Sequence, residues 1–157
     1  MSTKKLVTSL IICFIPAVIG SLATNTTVNT WYPGLIKPDL RPPNWLFGPV
    51  WTILYILQGI SLYLIRTAKK PANVKMLAYV FFTFQLFLNL LWSVLFFLLK
   101  SPGAAAFEIG LLDITVIFAI ISAYRVSKTS AYLLLPYLGW ISFATWLNWQ
   151  IFILNRG

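Results

Sequence analysis

Three sets of residues recur at helical spacing in an otherwise apolar chain. Trp51, Tyr55 and Gln58 fall at i, i+4 and i+7. Gln85, Asn89, Trp92, Ser93 and Phe96 fall at i, i+4, i+7, i+8 and i+11. Tyr137, Trp140, Ala144 and Asn148 fall at i, i+3, i+7 and i+11. Each set forms one stripe on a helix. Interhelical hydrogen bonding, worth about 0.6 kcal/mol per contact in a membrane, accounts for the Asn and Gln residues. It does not account for Trp51, Trp92 and Trp140, because indole is bulky and its N–H needs a partner when buried. An interior lined by Trp, Tyr and Asn suits a flat, mostly apolar aromatic ligand with a few polar edges. Stacking and quadrupole contacts would hold its rings.

Other chemistries are excluded by composition. The chain has no His, so His-ligated metal, a Ser-His-Asp triad and an imidazole shuttle are ruled out. Cys13 is the single cysteine, which leaves no intrachain disulfide and no Cys zinc site. The three acids are Asp39, Glu108 and Asp113, too few for carboxylate catalysis or a carboxylate metal cage. No metal site and no cofactor are expected. Asp113 reads as the acid well inside a helix, with two open roles: a hydrogen-bond partner for a neighbouring donor, or a group that orients a ligand.

The elements that position these residues follow from hydropathy. Of 157 residues, 59% are hydrophobic and 10% charged, and the mean hydropathy is +0.83. Soluble domains carry about a quarter charged residues. Lipid must therefore be the solvent for most of the chain. The sequence predicts one all-α domain over 1–157, a bundle of five transmembrane helices at about 6–23, 47–65, 76–99, 104–124 and 131–154. The first of these also fits a signal peptide, with Lys4-Lys5 before it and Ser21-Leu22-Ala23 as a cleavage site. Its apolar run continues through Ile19 and Leu22, which favours a retained helix. The short later connections predict antiparallel neighbours.

Twelve basic residues face three acidic ones. In a membrane chain Lys and Arg mark loop ends, so no nucleic-acid partner is expected. Eight of them (Lys4, Lys5, Arg66, Lys69, Lys70, Lys75, Arg125 and Lys128) fall on the side of the N-terminus, and four (Lys37, Arg41, Lys100 and Arg156) on the other. The positive-inside rule places the N-terminus in the cytoplasm and loop 24–46 outside. That loop region, extended to Pro49, holds Trp31, Tyr32, Trp45 and Phe47 with five prolines, among them Pro42 and Pro43. An aromatic belt does not need such proline density, so a stiff lid over one end of the bundle is expected. Ala106 and Gly110, Ala119 and Ala123, and Ala17 and Ser21 form small-xxx-small pairs, which would allow a homodimer. Asn25-Thr26-Thr27 matches a glycosylation acceptor.

The assembled residues resemble the translocator protein family, also called tryptophan-rich sensory proteins. The likeness runs through Trp31-Tyr32, Leu35, Lys37-Pro38, Pro42-Pro43, Phe47, Pro49-Val50-Trp51 and Leu54-Tyr55. It continues through Asn89, Trp92-Ser93, Phe96 and Asp113 to Leu134-Leu135-Pro136-Tyr137-Leu138, Trp140, Phe143-Ala144-Thr145 and Leu147-Asn148. Short loops and the lack of a targeting extension resemble a bacterial member in a cell membrane. The resemblance implies a five-helix, often dimeric bundle that binds tetrapyrroles such as protoporphyrin IX under its first loop. By matched position it implies a pocket of Trp31, Tyr32, Pro42, Trp51, Asn89, Trp92, Ser93, Asp113, Trp140 and Ala144. Some bacterial members are implied to degrade porphyrin in light and oxygen, with Trp51 and Trp140 in the catalytic role. The resemblance implies sterol binding in some members, but the motif proposed for it requires a Tyr and the segment 147–156 has none.

Overall fold

The computed structural model describes residues 2–156. Five α-helices account for most of them: α1 (Thr3–Asn25), α2 (Asn44–Thr67), α3 (Ala72–Ser93), α4 (Pro102–Val126) and α5 (Lys128–Leu154). Each begins two to four residues before the predicted start. Hydropathy marks the apolar centre of a span, whereas the helix itself continues through polar ends such as Thr3-Lys4 and Asn44-Trp45. Helices α1, α2 and α4 are long and apolar enough to cross a membrane, as is α3 with its extension to Leu98. Helix α5 has the length, 27 residues, but its Trp, Tyr, Ser, Thr and Asn residues dilute its hydropathy. The molecule is an all-α bundle of an integral membrane protein.

The helices form a ring in the order α1, α2, α5, α4, α3 and back to α1. The short link 68–71 does not make α2 and α3 close neighbours, because α1 packs against both. They meet through long side chains across the interior. Gln85 Nε2 donates to Gln58 Oε1 at 3.0 Å, and the Tyr55 hydroxyl donates to Asn89 Oδ1 at 2.6 Å.

Small and aliphatic side chains close the end of the bundle opposite loop 26–43. Cys13, Leu62, Ile65, Ala78, Phe82, Ala123, Ala131 and Leu134 form one buried cluster there. Ser61 Oγ donates to the Ser130 carbonyl and Ser130 Oγ to the Ser61 carbonyl, each at 3.0 Å, locking α2 to α5. A Cβ on Gly59 would lie 2.5 Å from Leu10 Cδ2 and 3.0 Å from Leu10 Cα, so glycine sets the close approach of α1 to α2. Arg66 Nη1 adds bonds to Thr8 Oγ1 at 2.9 Å and Ser9 Oγ at 3.0 Å.

The lid end is built differently. Helix α3 widens into a π-helical segment over Val94–Leu98, closed by Leu99 N–H on the Val94 carbonyl at 2.9 Å. The chain then turns through Lys100, whose φ is 52°. Phe96 and Phe97 in this segment are buried and form an aromatic cluster with Trp31, Tyr32, Phe47 and Trp92. Loop 26–43 lies over this end as a roof, with one 3-10 turn at Tyr32–Gly34. Pro49, read from sequence as part of the loop region, lies inside α2. Lacking an N–H, it leaves the Trp45 carbonyl without its helical donor.

Candidate ligand-binding site

The roof is fastened at both ends. Thr27 Oγ1 donates to the Phe97 carbonyl at 2.9 Å in a buried bond. Thr27 is the last residue of the glycosylation-type tripeptide, and its hydroxyl is committed to this packing. At the other end Ile36 N–H donates to Asn155 Oδ1 at 3.0 Å, and Asn155 Nδ2 donates to the Ile36 carbonyl at 2.8 Å. Between these points Trp31 meets Phe96 edge-on at 5.8 Å, and Tyr32 packs on Phe96 and Phe97 at 6.1 and 5.7 Å. Lys37 Nζ sits 4.6 Å from the Tyr32 ring centroid and donates to the Leu35 carbonyl at 2.8 Å. Burial pushes the Tyr32 phenol above its usual range, while the adjacent Arg41 pulls it back. Burial and then Arg41 lower the Lys37 ammonium.

Under the roof lies a cavity of about 450 Å³, within the usual range for small-molecule sites. Its floor is a hydrogen-bonded chain. Asn89 accepts from Tyr55 and donates through Nδ2 to the Tyr137 hydroxyl at 3.0 Å. Both phenols and the amide are buried, so three helices are tied by one side chain. Trp51 stacks on Tyr55 at 5.5 Å and meets Tyr137 at 6.2 Å. On the opposite wall Trp92 Nε1 donates to Asn148 Oδ1 at 2.7 Å, and Asn148 Nδ2 donates to the Pro102 carbonyl at 2.9 Å. Trp140 packs on Phe47 at 5.6 Å. Its Nε1 is buried and has no partner among the described residues. A buried donor of this kind costs about 1–3 kcal/mol when unmatched.

Seven of the ten residues singled out from sequence line this cavity: Tyr32, Trp51, Asn89, Trp92, Ser93, Trp140 and Ala144. Trp31 is not in the lining; it belongs to the roof, edge-on to Phe96. Pro42 also lies outside the lining, in the approach to α2. Asp113 is turned to the α4–α5 seam, where its Oδ1 accepts from Ser142 Oγ at 3.0 Å, and it is outside this lining. The more deeply buried acid is Glu108, 8% exposed, with neither carboxylate oxygen partnered among the described residues. It too is outside the lining.

Sequence reasoning missed the contribution of α1. Phe14, Ala17, Gly20, Ser21, Thr24 and Asn25 all line the cavity. Ala17 and Ser21, read as a helix-contact pair, face this space instead. Of the other small pairs, Gly110 is half-buried with open space beside it. Ala106, Ala119 and Ala123 are packed inside the chain's own core.

Comparison with known proteins gives the chain's family. Residues 9–154 match the model of the TspO/MBR family. The chain is 50% identical over 155 residues to the tryptophan-rich protein TspO of Archaeoglobus fulgidus, covering 99% of both chains. It is 41% identical to the protein of the same name from Chlorobaculum tepidum, covering 92% of this chain and 91% of that one. It is 36% identical over 140 residues to the human translocator protein, covering 88% of this chain and 83% of the relative. This aromatic-walled five-helix chain belongs to the TspO/MBR family.

Proposed function

We propose that the protein binds a tetrapyrrole such as protoporphyrin IX, or a related flat hydrophobic aromatic molecule, in the cavity beneath loop 26–43. In this reading it serves as a sensor, scavenger or translocator. The observation that carries the proposal is the convergence of Trp51, Trp92 and Trp140 on one cavity. Indole faces flank a flat apolar body, and Trp51, Trp92 and Trp140 line the same space. The distribution of basic residues, eight on one side and four on the other, supports an orientation with the N-terminus in the cytoplasm and the roof outside. With no His in the chain, free-base porphyrin matches the side chains better than haem iron, which needs an axial ligand. The test is titration of the purified protein with protoporphyrin IX. Saturable quenching of Trp fluorescence is expected, and unchanged affinity in a Trp51→Phe, Trp140→Phe double variant would place the ligand elsewhere.

A second reading is light- and oxygen-dependent degradation of the bound porphyrin. It is favoured by the stacking of Trp51 on Tyr55, itself bonded through Asn89 to Tyr137. These are oxidisable rings in van der Waals or hydrogen-bond contact beside the ligand space. Illumination with and without oxygen separates the two readings. New porphyrin products that fail to form in the Trp51→Phe, Trp140→Phe variant support degradation. Bleaching equal to that of free porphyrin supports binding alone.

A further inference from the structure

The walls of the cavity are not equally closed. Phe47 on Trp140 and Trp51 on Tyr137 seal the α2–α5 seam. The α1–α3 seam is tight, since a Cβ on Gly20 would lie 3.0 Å from Ser93 Oγ. The Trp92–Asn148 bond joins α3 to α5, the Tyr55–Asn89–Tyr137 chain forms the floor, and the roof is fastened at Thr27 and Asn155. The α1–α2 seam is the exception. Below the cavity it is held by Arg66, by Gly59 against Leu10 and by Phe14 against Tyr55 at 5.7 Å. Above Phe14 no hydrogen bond crosses it among the described residues.

Helical spacing shows that the same flanks are involved. Leu10, Phe14, Ala17, Ser21 and Asn25 recur along one flank of α1, and Gly59, Tyr55, Thr52, Gly48 and Asn44 along the facing flank of α2. Every cavity-lining residue that is also surface-exposed lies on these two flanks: Ser21, Asn25, Asn44, Gly48 and Thr52. Their hydroxyls turn back onto their own helices. Ser21 Oγ bonds the Val18 carbonyl at 2.8 Å and Thr52 Oγ1 the Gly48 carbonyl at 2.9 Å. Beyond the Phe14–Tyr55 contact, no hydrogen bond among the described residues joins the two flanks.

We infer that ligand enters and leaves the cavity sideways from the bilayer, through the α1–α2 cleft on the lid side, beneath a roof that stays closed. An apolar ring system partitions into lipid, so a lateral door meets it where it is concentrated. The cleft is rimmed by glycine, hydroxyls and, at the helix ends, the Asn25 and Asn44 amides. Small residues there leave width for a flat body. The amides sit at the level where a ligand's polar edge would remain in the interface. This inference rests on the binding reading above.

The experiment uses the full chain in lipid vesicles with protoporphyrin IX as probe. Ser21→Cys and Gly48→Cys, in a Cys13→Ser background, are joined across the cleft by a bifunctional methanethiosulfonate and released by dithiothreitol. The same molecules thus report the closed and open states. A Ser21→Phe, Thr52→Phe variant fills the cleft without crosslinking. Loosening of the roof is tested with Thr27→Val and Asn155→Leu. Closing or filling the cleft is expected to slow association and release by tenfold or more, and dithiothreitol is expected to restore both rates in the crosslinked protein. The roof variants are expected to leave both rates within about twofold. Unchanged rates after closure, or faster exchange in the roof variants alone, overturn the lateral route while leaving the binding reading intact. No saturable quenching in the unmodified protein overturns the binding reading, and the route falls with it.

Discussion

The two halves of the bundle are made from the same five helices and pack in opposite ways. At the end away from the roof, Cys13, Ala78, Ala123 and Ala131 let backbones approach, and Ile65, Phe82 and Leu134 fill what remains. At the lid end the same helices carry Trp51, Trp92, Trp140 and Phe96, which are too large and flat to interdigitate without leaving space. In lipid the closed half holds together by close packing, since burial from water contributes little between helices. The open half is held by directed bonds, chiefly Asn89 and Asn148, and by the roof. On the binding reading, the difference gives stability to one half and recognition to the other.

Changes to the closed half should therefore reduce stability first. Leu134→Ala removes a side chain that is 1% exposed and leaves a cavity. A loss of about 2–5 kcal/mol is expected, measured as unfolding in detergent with added denaturant. A drop under about 0.5 kcal/mol would show that this half is not the tightly packed one. Gly59→Ala should cost about 1–3 kcal/mol, because its methyl meets the Leu10 backbone as well as the flexible Leu10 tip. Full retention of stability would mean that α1 shifts freely against α2.

The open half should respond in affinity. Trp51→Phe with Trp140→Phe keeps the apolar rings but removes both indole N–H groups and much face area. Porphyrin affinity is expected to fall roughly tenfold, about 1.4 kcal/mol, with a smaller change in stability. An equal loss of stability would make these residues structural. The smallest effect is expected in the turn after the π-helical segment. Lys100 has φ 52°, a conformation that glycine adopts without strain. Lys100→Gly should raise stability by up to about 1 kcal/mol and leave binding unchanged, read as a rise in Tm.

Periodicity exposed the α2, α3 and α5 stripes because Trp, Tyr, Asn and Gln stand out against aliphatic neighbours. The α1 wall had no such contrast. Ala17, Gly20 and Ser21 are small, and small residues in a membrane helix read equally as a contact face or as the edge of a space. Asp113 and Glu108 show a second limit. Depth along a helix was legible, but the direction of each carboxyl was not, because it depends on which neighbours α4 packs against. Trp31 and Pro42 were legible as parts of the loop, yet their exclusion from the lining depends on Thr27 and Asn155. Those fasteners are polar residues near helix ends, where such residues are ordinary. The ring order was hidden for a similar reason, since the short 68–71 link gives no sign that α1 packs against both helices it joins.

The most direct single measurement is ligand-induced stabilisation of three proteins by protoporphyrin IX at about one hundred times its Kd. A ligand that binds only the folded state adds about 2.7 kcal/mol at that concentration. The unmodified protein and Leu134→Ala should gain the same increment from their different starting points, because the proposed binding site lies outside the closed half. The Trp51→Phe, Trp140→Phe variant, at the same free porphyrin, should gain about 1.4 kcal/mol less. A full increment in the double-Phe variant, or its loss in Leu134→Ala alone, would contradict the assignment of recognition to the lid end.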